Sequence, residues 1–187
     1  MASLLLTKTP LQIFSKKLVS LKHLLLIIDD LNDNQNINKK SIKESHLLKS
    51  YIVLLVSYWQ VFIEDLLHHC IKNICNNTVD SRLHIILKNN LKEKIKHFNT
   101  PNTDKIDLIF SSVIGIDKIT LKLQDSVNNK KAINDILKIR HHIAHTGYSP
   151  ETLTKEDNFA KMETLYSSAR QLEELAINFT NSLSIRI

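Results

Sequence analysis

Apolar positions recur along most of this chain at the spacing of one helix face, and polar breaks divide them into a few long segments. From Pro10 to about Leu31, residues Leu18, Leu21, Leu25 and Ile28 follow three or four apart, the period of an amphipathic helix. Thr9-Pro10-Leu11-Gln12 supplies its start, with Thr9 as N-cap, Pro10 at the first position and Gln12 closing a capping box. Asp33 to Lys40 is polar, rich in Asn and without period, and reads as a turn region. Ser41-Ile42-Lys43-Glu44 forms a second capping box, opening a helix that reaches about Asn76. Between Tyr51 and Ile63 this helix is apolar on nearly every side, which suits the middle of a bundle.

Asp80 can cap a third helix to about Phe98, with Leu83, Ile86, Leu87, Leu91 and Ile95 as its apolar stripe and Lys88, Lys92, Lys94 and Lys96 on its other side. Thr100-Pro101-Asn102-Thr103-Asp104 makes a turn and cap before a short helix that ends near Gly115, and another short segment follows around Lys118 to Gln124. The Asn128-Asn129 corner then begins a further long helix. Thr154-Lys155-Glu156-Asp157 begins the last, which runs through Phe159, Met162, Leu165, Leu172, Leu175 and Phe179. No internal repeat and no linker long enough to divide domains is present. The pattern predicts an all-α fold, one helical bundle of about five principal helices plus short connecting helices, spanning 1–187.

Composition supports this reading. Two Gly and three Pro are too few for a turn-rich β protein, and 187 residues suit one domain. The net charge of +6 favours acidic partners, nucleic acid among them. Cys70 and Cys75 lie five apart on one helix and point to different sides, so no mutual disulfide is expected and a reducing cytosol fits. Met1 to Phe14 lacks the apolar core and small-residue cleavage site of a signal peptide. The apolar run from Tyr51 to Ile63 is shorter than the roughly 20 residues of a membrane span. A soluble, cytoplasmic protein is expected.

The chemistry concentrates in Ile139-Arg140-His141-His142-Ile143-Ala144-His145-Thr146-Gly147, which holds three of the nine histidines beside one of four arginines. Ile133, Ile136, Leu137, Ile143 and Ala144 share one helix face, and Arg140 falls inside that arc. A guanidinium there is anomalous, because an unpaired buried charge is costly and Arg does not shed its proton. Glu64 or Asp65, at the end of the apolar stretch of the central helix, could pair with Arg140 and hold its fork in position, Glu64 being the first choice. His141 and His145 are four apart and share a face, while His142 points away and is given no part in the chemistry. Gly147, with Pro150 beyond, supplies a helix stop. Glycine-rich phosphate loops, Cys-x-x-Cys pairs and Gly-x-Ser-x-Gly elbows are missing. The His141–His145 spacing could ligate a metal, but no third ligand is evident unless the fold brings His68, His69 or Cys70 near, and no metal or other cofactor is expected.

Arg140-His141-His142-Ile143-Ala144-His145 resembles the Arg-x4-6-His motif of the HEPN superfamily. With Thr146-Gly147 after it, the wording is particularly similar to the RiboL-PSP branch. Ser57-Tyr58-Trp59-Gln60-Val61-Phe62-Ile63-Glu64-Asp65-Leu66 and Phe98-Asn99-Thr100-Pro101-Asn102 add to the likeness, whose motif core covers about 45–180. The resemblance implies a helical bundle that dimerises so that two Arg-His motifs face a shared cleft. It also implies metal-independent RNA cleavage, with members in toxin–antitoxin, phage-defence and RNA-processing systems, where a neutralising protein partner can exist. Arg140 and His145 would be catalytic, with His141 and Glu64 supporting. A catalytically silent HEPN module that binds RNA, a nucleotide or a protein is one other reading, and an unrelated helical interaction protein is another.

Overall fold

The computed structural model describes residues 8–33, 38–76 and 80–183. Residues 1–7, which belong to the stretch read for a signal peptide, and 34–37 of the Asn-rich turn lie outside them. Six α-helices follow in order: α1 (Pro10–Asp33), α2 (Lys40–Asn76), α3 (Ser81–Lys96), α4 (Thr103–Ile114), α5 (Ser126–Thr146) and α6 (Lys155–Leu183). A 3-10 turn at Ile119–Lys122 joins α4 to α5. No strand occurs among the described residues. Five long helices, the shorter α4 and the connecting turn make the all-α bundle that the hydrophobic pattern predicts.

The central helix is α2, against which α1, α3, α4, α5 and α6 all pack. Tyr51, Ile52, Leu55, Trp59, Phe62, Ile63, Leu66 and Leu67 are fully buried along it, each contributing roughly 1.5–3 kcal/mol of apolar burial. Phe14 of α1 meets Phe62 and Trp59 at centroid distances of 5.2 and 6.3 Å. By length and composition alone α2 is long and apolar enough to cross a membrane, as a core helix of a bundle can be. Half of that stretch is buried inside the bundle, however, and its apolar residues are those that hold the neighbouring helices.

Local caps explain most boundaries. Thr9 and Gln12 form the reciprocal box at α1, with Thr9 N–H donating to Gln12 Oε1 at 3.1 Å and Gln12 N–H to Thr9 Oγ1 at 3.3 Å. Asp80, Asn102 and Thr154 each accept from the first turn of the helix that follows. The box expected at Ser41 does not form. Lys39, at φ 58°, precedes the helix, and its carbonyl accepts from Ile42 and Lys43, which puts Ser41 inside the first turn. The α5 helix starts at Ser126, ahead of the Asn128-Asn129 corner, and Asn128 instead bonds the carboxylate of Asp125.

The stripe expected on α3 is only partly used. Leu91 is buried and Leu87 and Ile95 pack against the core, but Leu83 and Ile86 are exposed. Two tethers fix α2 to the segment between α3 and α4: Trp59 Nε1 donates to the Pro101 carbonyl, a buried bond, and Gln60 Nε2 to that of Phe98, a partly buried one. Thr103 and Asn134 then join α4 to α5, which sets the height of the motif helix in the bundle.

Candidate functional site

The α5 helix buries Ile133, Ile136, Leu137, Ile139 and Ile143 against its neighbours. Arg140 lies four residues after Ile136 and three before Ile143, so the same face that anchors the helix draws the guanidinium stem inward. Arg140 is half-buried. Its Nε is fully shielded and has no hydrogen-bond partner among the described residues. Ala144, assigned to the buried arc by periodicity, is exposed, so the arc ends at Ile143. Gly147 ends the helix at φ 77°, a left-handed conformation that a side chain would strain, and its N–H donates to the Ile143 carbonyl at 2.9 Å.

His141 and His145 are both exposed, with ring centroids 4.2 Å apart. Their four-residue spacing therefore produces one imidazole pair, next to Arg140 along the helix. His142 is not idle. Its Nδ1 stands 2.8 Å from the Tyr148 carbonyl and 3.1 Å from Thr146 Oγ1, holding the loop after the motif against the last turn.

The expected bond between Arg140 and Glu64 is not formed, and neither Glu64 nor Asp65 pairs with Arg140 among the described residues. Glu64 instead accepts from Gln60 Nε2 at 3.0 Å. Helix register gives the reason. Lys49 of α2 donates to the Gly147 carbonyl at 2.9 Å, while farther along α2 Trp59 bonds Pro101 and farther back along α5 Asn134 bonds Thr103. The two helices therefore run antiparallel, and Arg140 lies level with about Val56 or Ser57. Glu64 is two further turns away, roughly 12 Å at 1.5 Å per residue. The same register puts His68, His69 and Cys70 roughly 25 Å or more along α2 from His145. Among the described residues, no group of three or more His, Cys, Asp or Glu is placed to hold a metal ion.

Lys49 and Tyr148 are the residues that sequence reasoning missed. The Lys49 ammonium sits on the carbonyl end of α5, where a cation offsets the negative end of the helix dipole and makes the site more hospitable to an anion. Nothing local in sequence links Lys49 to Gly147, 98 positions away. A cleft of about 580 Å³ opens here, lined by His46 and Lys49 of α2 and by Thr146, Gly147 and Tyr148. Arg140 and the His141–His145 pair lie in the last turns of α5 and the basic cleft opens at its end, although none of the three lines that cleft. Together they offer phosphate binding and proton transfer without a metal ligand set.

The sequence matches the family model described as RiboL-PSP-HEPN over residues 18–180, so the likeness begins within α1 and not at about residue 45. No curated protein and no solved structure matches the chain. The chain belongs to the RiboL-PSP-HEPN family, a nuclease-associated branch of the HEPN superfamily.

Proposed function

We propose that this protein is a metal-independent endoribonuclease in which Arg140 and His145 are the catalytic residues. The observation that carries the reading is the Arg140 guanidinium: half-buried on the core-facing side of α5 and, among the described residues, without a carboxylate partner and with a shielded Nε that none of them satisfies. A buried donor left unmade costs about 1–3 kcal/mol. A phosphate oxyanion presented to the Nη end of the same fork, which is not sealed off as Nε is, would meet donors that no carboxylate among the described residues occupies.

In this reading His145 accepts the proton of an RNA 2′-hydroxyl as the 2′-oxygen attacks the adjacent phosphorus. Arg140 holds the phosphate and stabilises the charge that develops in attack. The bond from phosphorus to the 5′-oxygen breaks, and the leaving oxygen takes a proton from His141 or from the partner's His145. The products are a 2′,3′-cyclic phosphate and a 5′-hydroxyl. Single-stranded or loop RNA is the substrate, because in-line attack is reached more readily where the strand is free of a duplex. The whole chain, 1–187, acts as one domain and as a homodimer, with two motifs facing a common cleft. It works in the cytoplasm, in keeping with two buried free thiols. A toxin–antitoxin or phage-defence system, with a neutralising protein partner, is its setting.

The test separates chemistry from binding. His145→Ala is expected to abolish turnover while leaving RNA affinity within about twofold, since it removes the proton acceptor and leaves the phosphate-holding Arg140 in place. Arg140→Ala is expected to weaken both cleavage and binding. Full cleavage by either variant would refute the assignment.

A further inference from the structure

The loop after the motif presents an aromatic ring on a fixed backbone. Tyr148 is 73% exposed and does not belong to the core or to the shell packed against it. Its main chain is nevertheless tied down at both ends. The N–H donates to Thr146 Oγ1 at 3.1 Å, while the carbonyl accepts from Thr146 Oγ1 at 3.3 Å and lies 2.8 Å from His142 Nδ1. Lys49 Nζ, already bonded to the neighbouring Gly147 carbonyl, stands 5.9 Å from the ring centroid. None of these tethers uses the phenol or needs an aromatic side chain. The ring is a flat apolar surface held beside a cation and left open to solvent.

The ring lines two clefts that share Lys49 but differ in their other charged residues. On the motif side, His46 and Lys49 line the larger. On the far side, Glu44 and Glu151 line another of about 460 Å³, with Glu151 paired to Lys161 at 3.1 Å. Carboxylates repel a phosphate but not the face of a base, so a strand crossing here would keep its backbone on the His46–Lys49 side. A base reaching over Tyr148 would find stacking area at little conformational cost, because the loop is already ordered.

We infer that Tyr148 is a stacking platform for one nucleobase of single-stranded RNA, next to the phosphate held by Arg140, with Lys49 and His46 following the sugar-phosphate backbone. This rests on reading the Arg140–His145 site as an RNA site. Tyr148 is then a positioning residue. It would hold the nucleotide beside the scissile phosphate so that the attacking 2′-hydroxyl stays near His145.

Binding and cleavage, measured separately, test the inference. Fluorescence anisotropy in the His145→Ala background compares a short labelled oligoadenylate with an abasic ribose-phosphate chain of equal length and charge. The oligoadenylate is expected to bind more tightly by about 5- to 150-fold, the range for one stacked base. Tyr148→Ala removes most of that difference, weakening the oligoadenylate and leaving the abasic chain unchanged, whereas Tyr148→Phe, which keeps the ring, restores it. Equal weakening on both probes marks a merely structural role and overturns the inference, as does no change or no binding of either probe. Cleavage by chains carrying His145 is followed in parallel. Cleavage without base-dependent binding overturns the platform and leaves the ribonuclease reading intact. Base-dependent binding without cleavage does the reverse.

Discussion

Arg140 is where the requirements of folding and of chemistry diverge most clearly. Its neighbours Ile136 and Ile143 pull the helix face inward, yet among the described residues no carboxylate meets the guanidinium and Nε is sealed from water without a partner. A side chain chosen for stability alone would be apolar at that point. Arg140→Met, close in length and without the orphaned donor, is therefore expected to stabilise the fold by about 1 kcal/mol while eliminating cleavage. Thermal unfolding of the two chains checks this. A clear loss of stability in Arg140→Met would mean that the guanidinium has a structural partner after all, and would remove the main support for a phosphate-binding role.

Among the elements, α1 and α6 are joined by a buried carboxylate. Glu173, only 8% exposed, accepts from Leu11 N–H at 2.8 Å and from Thr9 Oγ1 at 3.3 Å. It thus lies against the unpaired N–H groups and positive dipole end of α1. Burial, with the Glu173 charge adding to it, pushes the Cys70 thiol on the adjoining face of α2 up to about 12. Glu173→Ala should destabilise by about 2 kcal/mol in urea unfolding, because it strands two donors, and Glu173→Gln should lose less. A change within about 0.5 kcal/mol would show that the α1 start is held by its own capping box alone.

The helix starts indicate what was legible in the sequence. The boxes at Thr9 and Thr154 and the caps at Asp80 and Asn102 depend on residues within one turn, so local pattern suffices to find them. The motif, its helix stop at Gly147 and the His141–His145 pair were legible for the same reason. That Arg140 and Glu64 do not pair was not. It depended on how α2 slides against α5, and that register is set by contacts such as Lys49 with Gly147, far apart in the chain. The exposure of Ile86 and Ala144 likewise reflects where neighbouring helices end, which periodicity does not report. Lys49 and Tyr148 gave no motif signal, since one is an ordinary basic residue and the other an isolated aromatic.

For the molecule as a whole, one Arg and a histidine pair make a sparse site for phosphate binding and two proton transfers. A homodimer would supply a second set across a common cleft. Light scattering at micromolar concentration is expected to give twice the chain mass of 21.6 kDa. Mixing the His145→Ala and Arg140→Ala chains is expected to recover part of the activity that each lacks, if the site is shared between protomers. A monomer with full activity would contradict the composite site.

The central claim, cleavage by the RNA's own 2′-hydroxyl without a metal, is tested most directly on a single-stranded oligoribonucleotide incubated in excess EDTA, with the product ends identified by mass. The same oligonucleotide carrying one 2′-deoxyribose 5′ to the cleaved phosphate serves as the comparison. The expected result is undiminished cleavage in EDTA to fragments ending in a 2′,3′-cyclic phosphate, with none at the deoxy position. Fragments with 3′-hydroxyl ends, cleavage at the deoxy position, or activity restored only by a divalent metal would contradict it.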